Sequence, residues 1–184
     1  MRVFLAIEIP ENLKGRLATV QNKLAPSIRG VRWEKTEKFH ITLIFLGEVA
    51  EERISDLEEA VRHGVRGIEP FKISLSGLGC FPNERRPRVI WVGIEGEVET
   101  LIQLEKQLEA ALTKFNFEFD QKKFHPHVTL GRVKGPTSIA EGWSPFAKAT
   151  EDSKFEVREV TIMKSTLRPT GSVYIPLSRI PLES

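Results

Sequence analysis

The stretch "FHPHVTLGR", residues 124–132, carries two of the chain's four histidines, and it has a counterpart far upstream in "FHITLIFLG", residues 39–47. Both read as β-strands, because apolar and polar residues alternate and successive strand side chains point to opposite faces. In the upstream stretch Phe39, Ile41, Leu43 and Phe45 form one apolar face, expected to be buried, while His40 and Thr42 share the other. In the downstream stretch Val128 and Leu130 are the buried pair, and His127 and Thr129 share the opposite face. The chain therefore holds one unit twice: an imidazole and a hydroxyl, two residues apart, on the polar side of a strand.

With four histidines and eleven threonines in 184 residues, roughly 0.24 such pairs arise by chance. One pair would be a polar strand face. Two pairs, each of correct parity, point to a shared site. His40 and His127 lie 87 positions apart, nearly half the chain, and each follows a helix-then-strand arrangement. That is the trace of a duplicated unit.

The remaining sequence fits this reading. At 184 residues the chain suits one domain of two intimate lobes with a real core. Apolar content is 40% and charged content 28%, as in globular proteins. No apolar run is long enough for a bilayer, and "MRVFLAIEIP" is too short for a signal peptide and is broken by Glu8, so a cytoplasmic location and no membrane partner are expected. A single cysteine, Cys80, excludes an intrachain disulfide and any cysteine-rich zinc site. The net charge of +2 is compatible with RNA and does not argue for it.

Strand and helix patterns alternate along the chain. "VFLAIEI" is a strand. Pro10 opens a helix with Leu13, Leu17, Val20 and Leu24 on one face. "VRWE" is a short strand. After residue 47 a second helix carries Ile54, Leu57, Val61 and Val65. "FKISLSGLGCF" and "RVIWVGIEG" are strands joined by the loop "PNERRP". A third helix carries Val98, Leu101, Leu108, Leu112 and Phe115. "HPHVTLGRV" follows as a strand that Pro126 should place at an edge or kink. "GPTSIAEGWSPFAKATEDS" is loop-like, with room for one short helix. "KFEVREVTIMKSTL" and "SVYIPLSRI" close the chain as strands around the turn "RPTGS". The expected fold is α+β and bilobal: two similar β/α lobes of mostly antiparallel sheet, in one domain over 1–184, with both His-x-Thr strands in a central cleft.

Two imidazoles and two hydroxyls suit cleavage of a 2′,3′-cyclic phosphate. One neutral histidine takes a proton from water, and one protonated histidine gives a proton to the departing ribose oxygen; a pKa near 6.5 allows both forms. Threonine hydroxyls can donate to the non-bridging oxygens as charge develops there. The units "HITL" and "HVTL" resemble the paired His-x-Thr-x motifs of the two-histidine (2H) phosphoesterase superfamily. The opening "RVFLAIEIP", the "FHPHVTLGR" stretch and the C-terminal "MKSTLRPTGSVY" resemble its RNA 2′,3′-cyclic phosphodiesterase branch, also called RNA 2′-5′ ligase. The resemblance spans essentially the whole chain. It implies His40 as proton donor, His127 as proton acceptor, Thr42 and Thr129 on the phosphate oxygens and Arg132 as added positive charge. It also implies an RNA substrate with a cyclic phosphate end, tRNA fragments among them, handled by a monomer without metal or cofactor.

Strict alternation puts Arg132 on the buried face with Leu130, so it reaches the site only if the strand bends near Gly131. Arg85 and Arg86, with Arg88, are candidate contacts to RNA phosphates, as are Lys122, Lys123 and Lys134. Trp33, Phe39 and Tyr174 are candidate stacking surfaces, and Lys164 and Ser165 are candidates to face the cleft. His125 shares parity with His127, which raises a metal-dependent hydrolase as a rival, but no Asp or Glu accompanies them; a pocket-rim or surface role suits His125 better. "SGLGCF" lacks the third glycine of a dinucleotide site, and no Gly-Lys-Ser/Thr phosphate loop occurs, so any end-joining would run as reversed transesterification. A non-catalytic protein that captures RNA ends is the rival of a different class.

Overall fold

A computed structural model describes residues 1–137 and 151–184. Most of the loop-like stretch after residue 134, with the short helix expected there, lies outside the described residues. Among those described, nine strands appear: β1 (Arg2–Glu8), β2 (Val31–Trp33), β3 (His40–Glu48), β4 (Phe71–Phe81), β5 (Val89–Gly96), β6 (His127–Val133), β7 (Lys154–Val157), β8 (Glu159–Arg168) and β9 (Gly171–Pro181). Three α-helices accompany them: α1 (Glu11–Leu24), α2 (Ile54–Gly64) and α3 (Val98–Lys114). The sheet order is β7-β4-β5-β6-β3-β1-β8-β9, with β2 added to β6, and neighbouring strands run antiparallel. The two histidine strands are thus side by side at the middle of the sheet, with four strands of that order in each half and β2 added to the half that holds β6.

One core lies behind this sheet. It takes Val3, Leu5 and Ile7 from β1, Ile41 and Leu43 from β3, Ile90 and Val92 from β5 and Val128 and Leu130 from β6. Against them pack Leu13 and Leu17 of α1, Leu57 and Val61 of α2, and Leu101, Leu104, Leu108 and Leu112 of α3. Burial of these apolar helix stripes, more than intrinsic propensity, holds the helices in place. The opposite face carries a small cluster of Phe4, Ala6 and Met163 with Tyr174 against it.

Four expectations need correction. Pro126 does not sit at a sheet edge; it precedes β6, which is central and starts at His127, where no ladder donor from residue 126 is needed. "KFEVREVTIMKSTL" is two strands broken at Arg158: β7 joins β4 at one end of the sheet, and β8 joins β1 in the other half. Phe45 is not buried but 51% exposed. Arg132 is not on the core side but exposed.

The last two share one cause. Between β1 and β3 the register jumps from Ala6↔Thr42 to Leu5↔Ile44, leaving Leu43 as an extra residue. Between β5 and β6 it jumps from Trp91↔Thr129 to Ile90↔Gly131, leaving Leu130 extra. Each is a β-bulge, and a bulge reverses the alternation beyond it. So Leu43 and Ile44 are both buried and Phe45 turns outward; Leu130 and Gly131 are both buried and Arg132 turns outward. The second bulge is supported from behind. The Leu130 carbonyl accepts from the Glu34 N–H at 2.8 Å and from Gln21 Nε2 of α1 at 2.8 Å. This explains a buried glutamine on an otherwise apolar helix face.

Gly131 is fixed by close approach: a Cβ there would lie 2.6 Å from Val31 Cγ1 and 3.0 Å from Trp33 Cε3. Gly131→Ala is expected to destabilise the fold by roughly 1–3 kcal/mol through overpacking against β2. An unchanged urea midpoint would mean that β2 has room to yield.

Candidate active site

The registered pair Ile41↔Val128 joins β3 to β6. Antiparallel pairing about it sets His40 beside Thr129 and Thr42 beside His127, all four on the face away from the core. β1 extends that face with Glu8 opposite His40 and Ala6 opposite Thr42, and β5 extends it with Trp91 opposite Thr129 and Gly93 opposite His127.

Both imidazoles are held in the same way. His40 Nδ1–H donates to the Lys38 carbonyl at 2.6 Å, and His127 Nδ1–H donates to the His125 carbonyl at 2.5 Å. Each bond runs from a ring to the carbonyl two residues earlier. A carbonyl only accepts, so each bond fixes the Nδ1–H tautomer and leaves Nε2 as the working nitrogen. In His40 that nitrogen accepts from Thr42 Oγ1 at 2.8 Å.

Each ring also leans on aromatic neighbours. His40 has Phe4 at 5.0 Å and Tyr174 at 5.3 Å between ring centroids; His127 has Phe81 at 5.1 Å and Trp91 at 6.2 Å. This surrounding removes water, which disfavours the charged ring. Burial is the chief cause that pushes the His40 pKa down to about 4, with His127 and Arg132 adding like-charge repulsion and the Lys38 carbonyl opposing. Burial likewise lowers His127, with the His125 carbonyl opposing and His125 and Arg132 repelling charge. Both rings are therefore neutral near pH 7 in the free protein.

The surrounding charges complete the picture. Arg132 Nε lies 3.5 Å from Glu34 Oε1, and Lys38 Nζ lies 3.9 Å from Glu34 Oε2. Arg32 is registered with Arg132 across β2 and β6. Glu8 accepts from Thr161 Oγ1 at 2.9 Å and from Arg179 Nε and Nη2 at 2.7 and 3.1 Å; the Arg179 bonds hold its carboxyl below the usual range.

The structure gathers His40, Thr42, His127, Thr129, Arg132 and Tyr174 on one face. Tyr174 touches Phe4 as well as His40, and Lys38 Nζ lies 5.6 Å from its ring centre. It does not bring Lys164 there. Lys164 is registered with Val3, a core residue, and cross-strand partners share a face; Ser165, opposite Arg2, is on the site side. Phe39 is core and Trp33 packs against the core, so neither is a stacking surface. Arg85 and Arg86 lie in a separate cavity with Arg88, and Lys122 pairs with Asp120 at 3.1 Å. His125 is exposed, its ring 6.1 Å from His127 and packed on Phe81 and Trp91 at 5.0 and 5.2 Å, and its backbone carbonyl holds His127 Nδ1. Among the described residues no three His, Cys, Asp or Glu side chains gather as a metal site.

Sequence reasoning missed the Lys38 and His125 carbonyls, the aromatic supports Phe4, Phe81 and Trp91, and Arg32 and Glu34. Only the two carbonyls had a local signal: each lies two residues before its histidine.

The chain is similar to known proteins over nearly its whole length. The family described as the 2′-5′ RNA ligase superfamily matches residues 4–168. An RNA 2′,3′-cyclic phosphodiesterase of Methanothermobacter thermautotrophicus is 36% identical over 177 residues, covering 95% of each chain. The crystal structure of TT0787 of Thermus thermophilus superposes with a TM-score of 0.85 at 32% identity, covering 99% of this chain and 98% of that one. Escherichia coli LigT complexed with 3′-AMP superposes with a TM-score of 0.79 at 26% identity, covering 100% of this chain and 98% of that one.

Titration of the imidazoles by NMR is expected to give His40 in the Nδ1–H form with a pKa of about 4. Added inorganic phosphate should raise it, because an anion favours the imidazolium. A free-site value at or above 6.5, or no response to phosphate, would contradict the buried, anion-facing placement.

Proposed function

The chain belongs to the 2′-5′ RNA ligase superfamily, and on that premise we propose that it hydrolyses RNA 2′,3′-cyclic phosphate ends to 2′-phosphates by two-histidine general acid–base catalysis, without metal. The observation that carries this reading is the matched pair of imidazoles, each with Nδ1 clamped by a carbonyl and each beside a threonine on one sheet face.

The cyclic phosphate sits between the rings. Its negative charge restores the basicity that burial removed, so the site takes up a proton as the anion enters. Neutral His127 Nε2 removes a proton from water as the water oxygen bonds to phosphorus. The bond from phosphorus to O3′ breaks, and His40 Nε2–H gives its proton to that oxygen, leaving a 2′-phosphate and a 3′-hydroxyl. The donor and acceptor roles follow the family resemblance. Once His40 is protonated its Nε2 no longer accepts from Thr42, so the Thr42 hydroxyl turns to the phosphate. Thr129 and Arg132 meet the other developing charge. Tyr174, supported by buried Phe4, and exposed Phe45 offer an aromatic surface to the terminal base.

A ribose hydroxyl in the place of water would make a 2′-5′ linkage with the same residues and no nucleoside triphosphate, in keeping with the family's description. The 1–184 chain acts as one monomeric domain of two pseudo-symmetric lobes. No described helix is long and apolar enough to cross a membrane, and the expected setting is RNA processing in the cytoplasm, tRNA fragments included.

An oligoribonucleotide ending in 2′,3′-cyclic phosphate should give a 2′-phosphate product with or without EDTA. Loss of turnover with the chelator would favour a metal enzyme, and tight binding without product would favour an end-capture protein. His40→Ala and His127→Ala should each lower kcat by about 10²–10⁴, while His125→Ala changes it only a few-fold. A loss for His125→Ala as large as for His127→Ala would overturn the assignment.

The pH dependence has a definite sign. The productive free enzyme holds one proton on the histidine pair, and burial lowers both rings. The optimum of kcat/KM should therefore lie below about pH 6.5, with a fall as pH rises above it, whereas kcat, read with the anion bound, should peak at higher pH. A kcat/KM that rises through neutrality would contradict the scheme.

A further inference from the structure

The loop between β4 and β5 holds three arginines that the catalytic scheme does not use. Its backbone is pinned. Asn83 Oδ1 accepts from the N–H groups of Arg85 at 3.1 Å and Arg86 at 3.0 Å. The Arg88 N–H donates to the Phe81 carbonyl at 2.7 Å, and the Arg88 carbonyl accepts from the Val133 N–H at 2.9 Å. Pro87 is buried, while Arg85, Arg86 and Arg88 are exposed. Together with Val133, Gly135, Pro136 and Thr137 they line a cavity of about 760 Å³.

That cavity is separate from the site but borders its strand: Val89, next to Arg88, is registered with Arg132, and the Arg88 carbonyl holds Val133. The strand runs from His127 and Thr129 to Arg132, beside which Arg32 is registered, and ends at Val133 on the cavity wall. At about 3.3 Å per residue the cavity wall lies roughly 13 Å beyond Thr129. Arg85, Arg86 and Arg88 thus line a cavity beyond the end of the strand that carries His127, Thr129 and Arg132, with Arg32 beside Arg132. Among the described residues Glu34 pairs with Arg132, and no carboxylate pairs with the other four. Glu84 is the loop's one acid and pairs with none of them. Unpaired guanidiniums held by a fixed backbone, next to the strand that carries His127 and Thr129, suit a polyanion with regularly spaced charges.

We propose that this arginine-lined cavity binds the phosphodiester backbone of the RNA leading to the terminal cyclic phosphate, making oligonucleotides better substrates than nucleoside 2′,3′-cyclic phosphates. The proposal rests on the reading of the site as a cyclic phosphodiesterase. It adds a second binding region, used only by substrates longer than one nucleotide.

The experiment compares wild type with Arg85→Gln/Arg86→Gln/Arg88→Gln on adenosine 2′,3′-cyclic phosphate and on oligoribonucleotides of increasing length with the same end. Wild-type kcat/KM should rise with length over the first few nucleotides and fall with salt. The triple variant should lose about tenfold on the long substrate, chiefly in KM, with a log–log salt dependence shallower by about 0.7 for each arginine removed. Turnover of the mononucleotide should be unchanged, which also reports an intact fold, and each single variant should lose a share. Equal length dependence and salt slope in the two proteins would overturn the proposal, as would a wild type indifferent to length. If neither substrate turns over, the catalytic reading fails instead, and fluorescence anisotropy of a 2′-phosphorylated oligonucleotide still tests the cavity: equal affinity in wild type and triple variant overturns it, weaker binding by the variant supports it.

Discussion

The pairing of Ile41 with Val128 is the constraint on which the site depends. Both side chains are fully buried, so hydrophobic burial fixes which face of each strand turns inward. The polar face then follows by geometry. A slip of one residue on either strand would send a histidine and a threonine into the core and bring apolar side chains to the front. The same apolar contacts that close the middle of the sheet therefore aim four catalytic candidates at one place.

Alternation along a strand is a local property, and that much is legible in the sequence. The parity of His40, Thr42, His127 and Thr129 follows from neighbouring residues, and so do the three helices and most strands. What depends on partners is not legible. Nothing within "HITLIF" or "HVTLGR" shows that Leu43 and Leu130 are bulged; the register jumps arise against β1 and β5. Strict alternation therefore puts Phe45 and Arg132 on the wrong face. The two bulges fall at the same position after each histidine, so Phe45 and Arg132 are counterparts, one offering an aromatic ring and the other a cation. Lys164 escapes sequence reasoning in a similar way, since its face is set by pairing with Val3. Gln21 belongs to the same class: its purpose is visible only when the Leu130 carbonyl is seen to need a donor.

The chemistry turns on a contest between burial and the substrate's charge. Aromatic walls around both imidazoles exclude water and leave them neutral, and nearby Arg132 strengthens that tendency. A bare site is a poor acid. In the proposed scheme an entering phosphate supplies the missing negative charge between the rings, where screening by water is weak, and so produces the proton donor at the moment it is needed. The carbonyl clamps on Nδ1 leave each ring only Nε2 at which to gain or lose a proton.

A crystal structure with a bound nucleoside 2′-phosphate, the expected product, tests the convergence most directly. The account predicts one phosphate group whose oxygens lie within about 2.6–3.2 Å of both His40 Nε2 and His127 Nε2, with the Thr42 and Thr129 hydroxyls on the same group. A phosphate held by a single ring, or bound elsewhere with the two imidazoles facing different spaces, would contradict it.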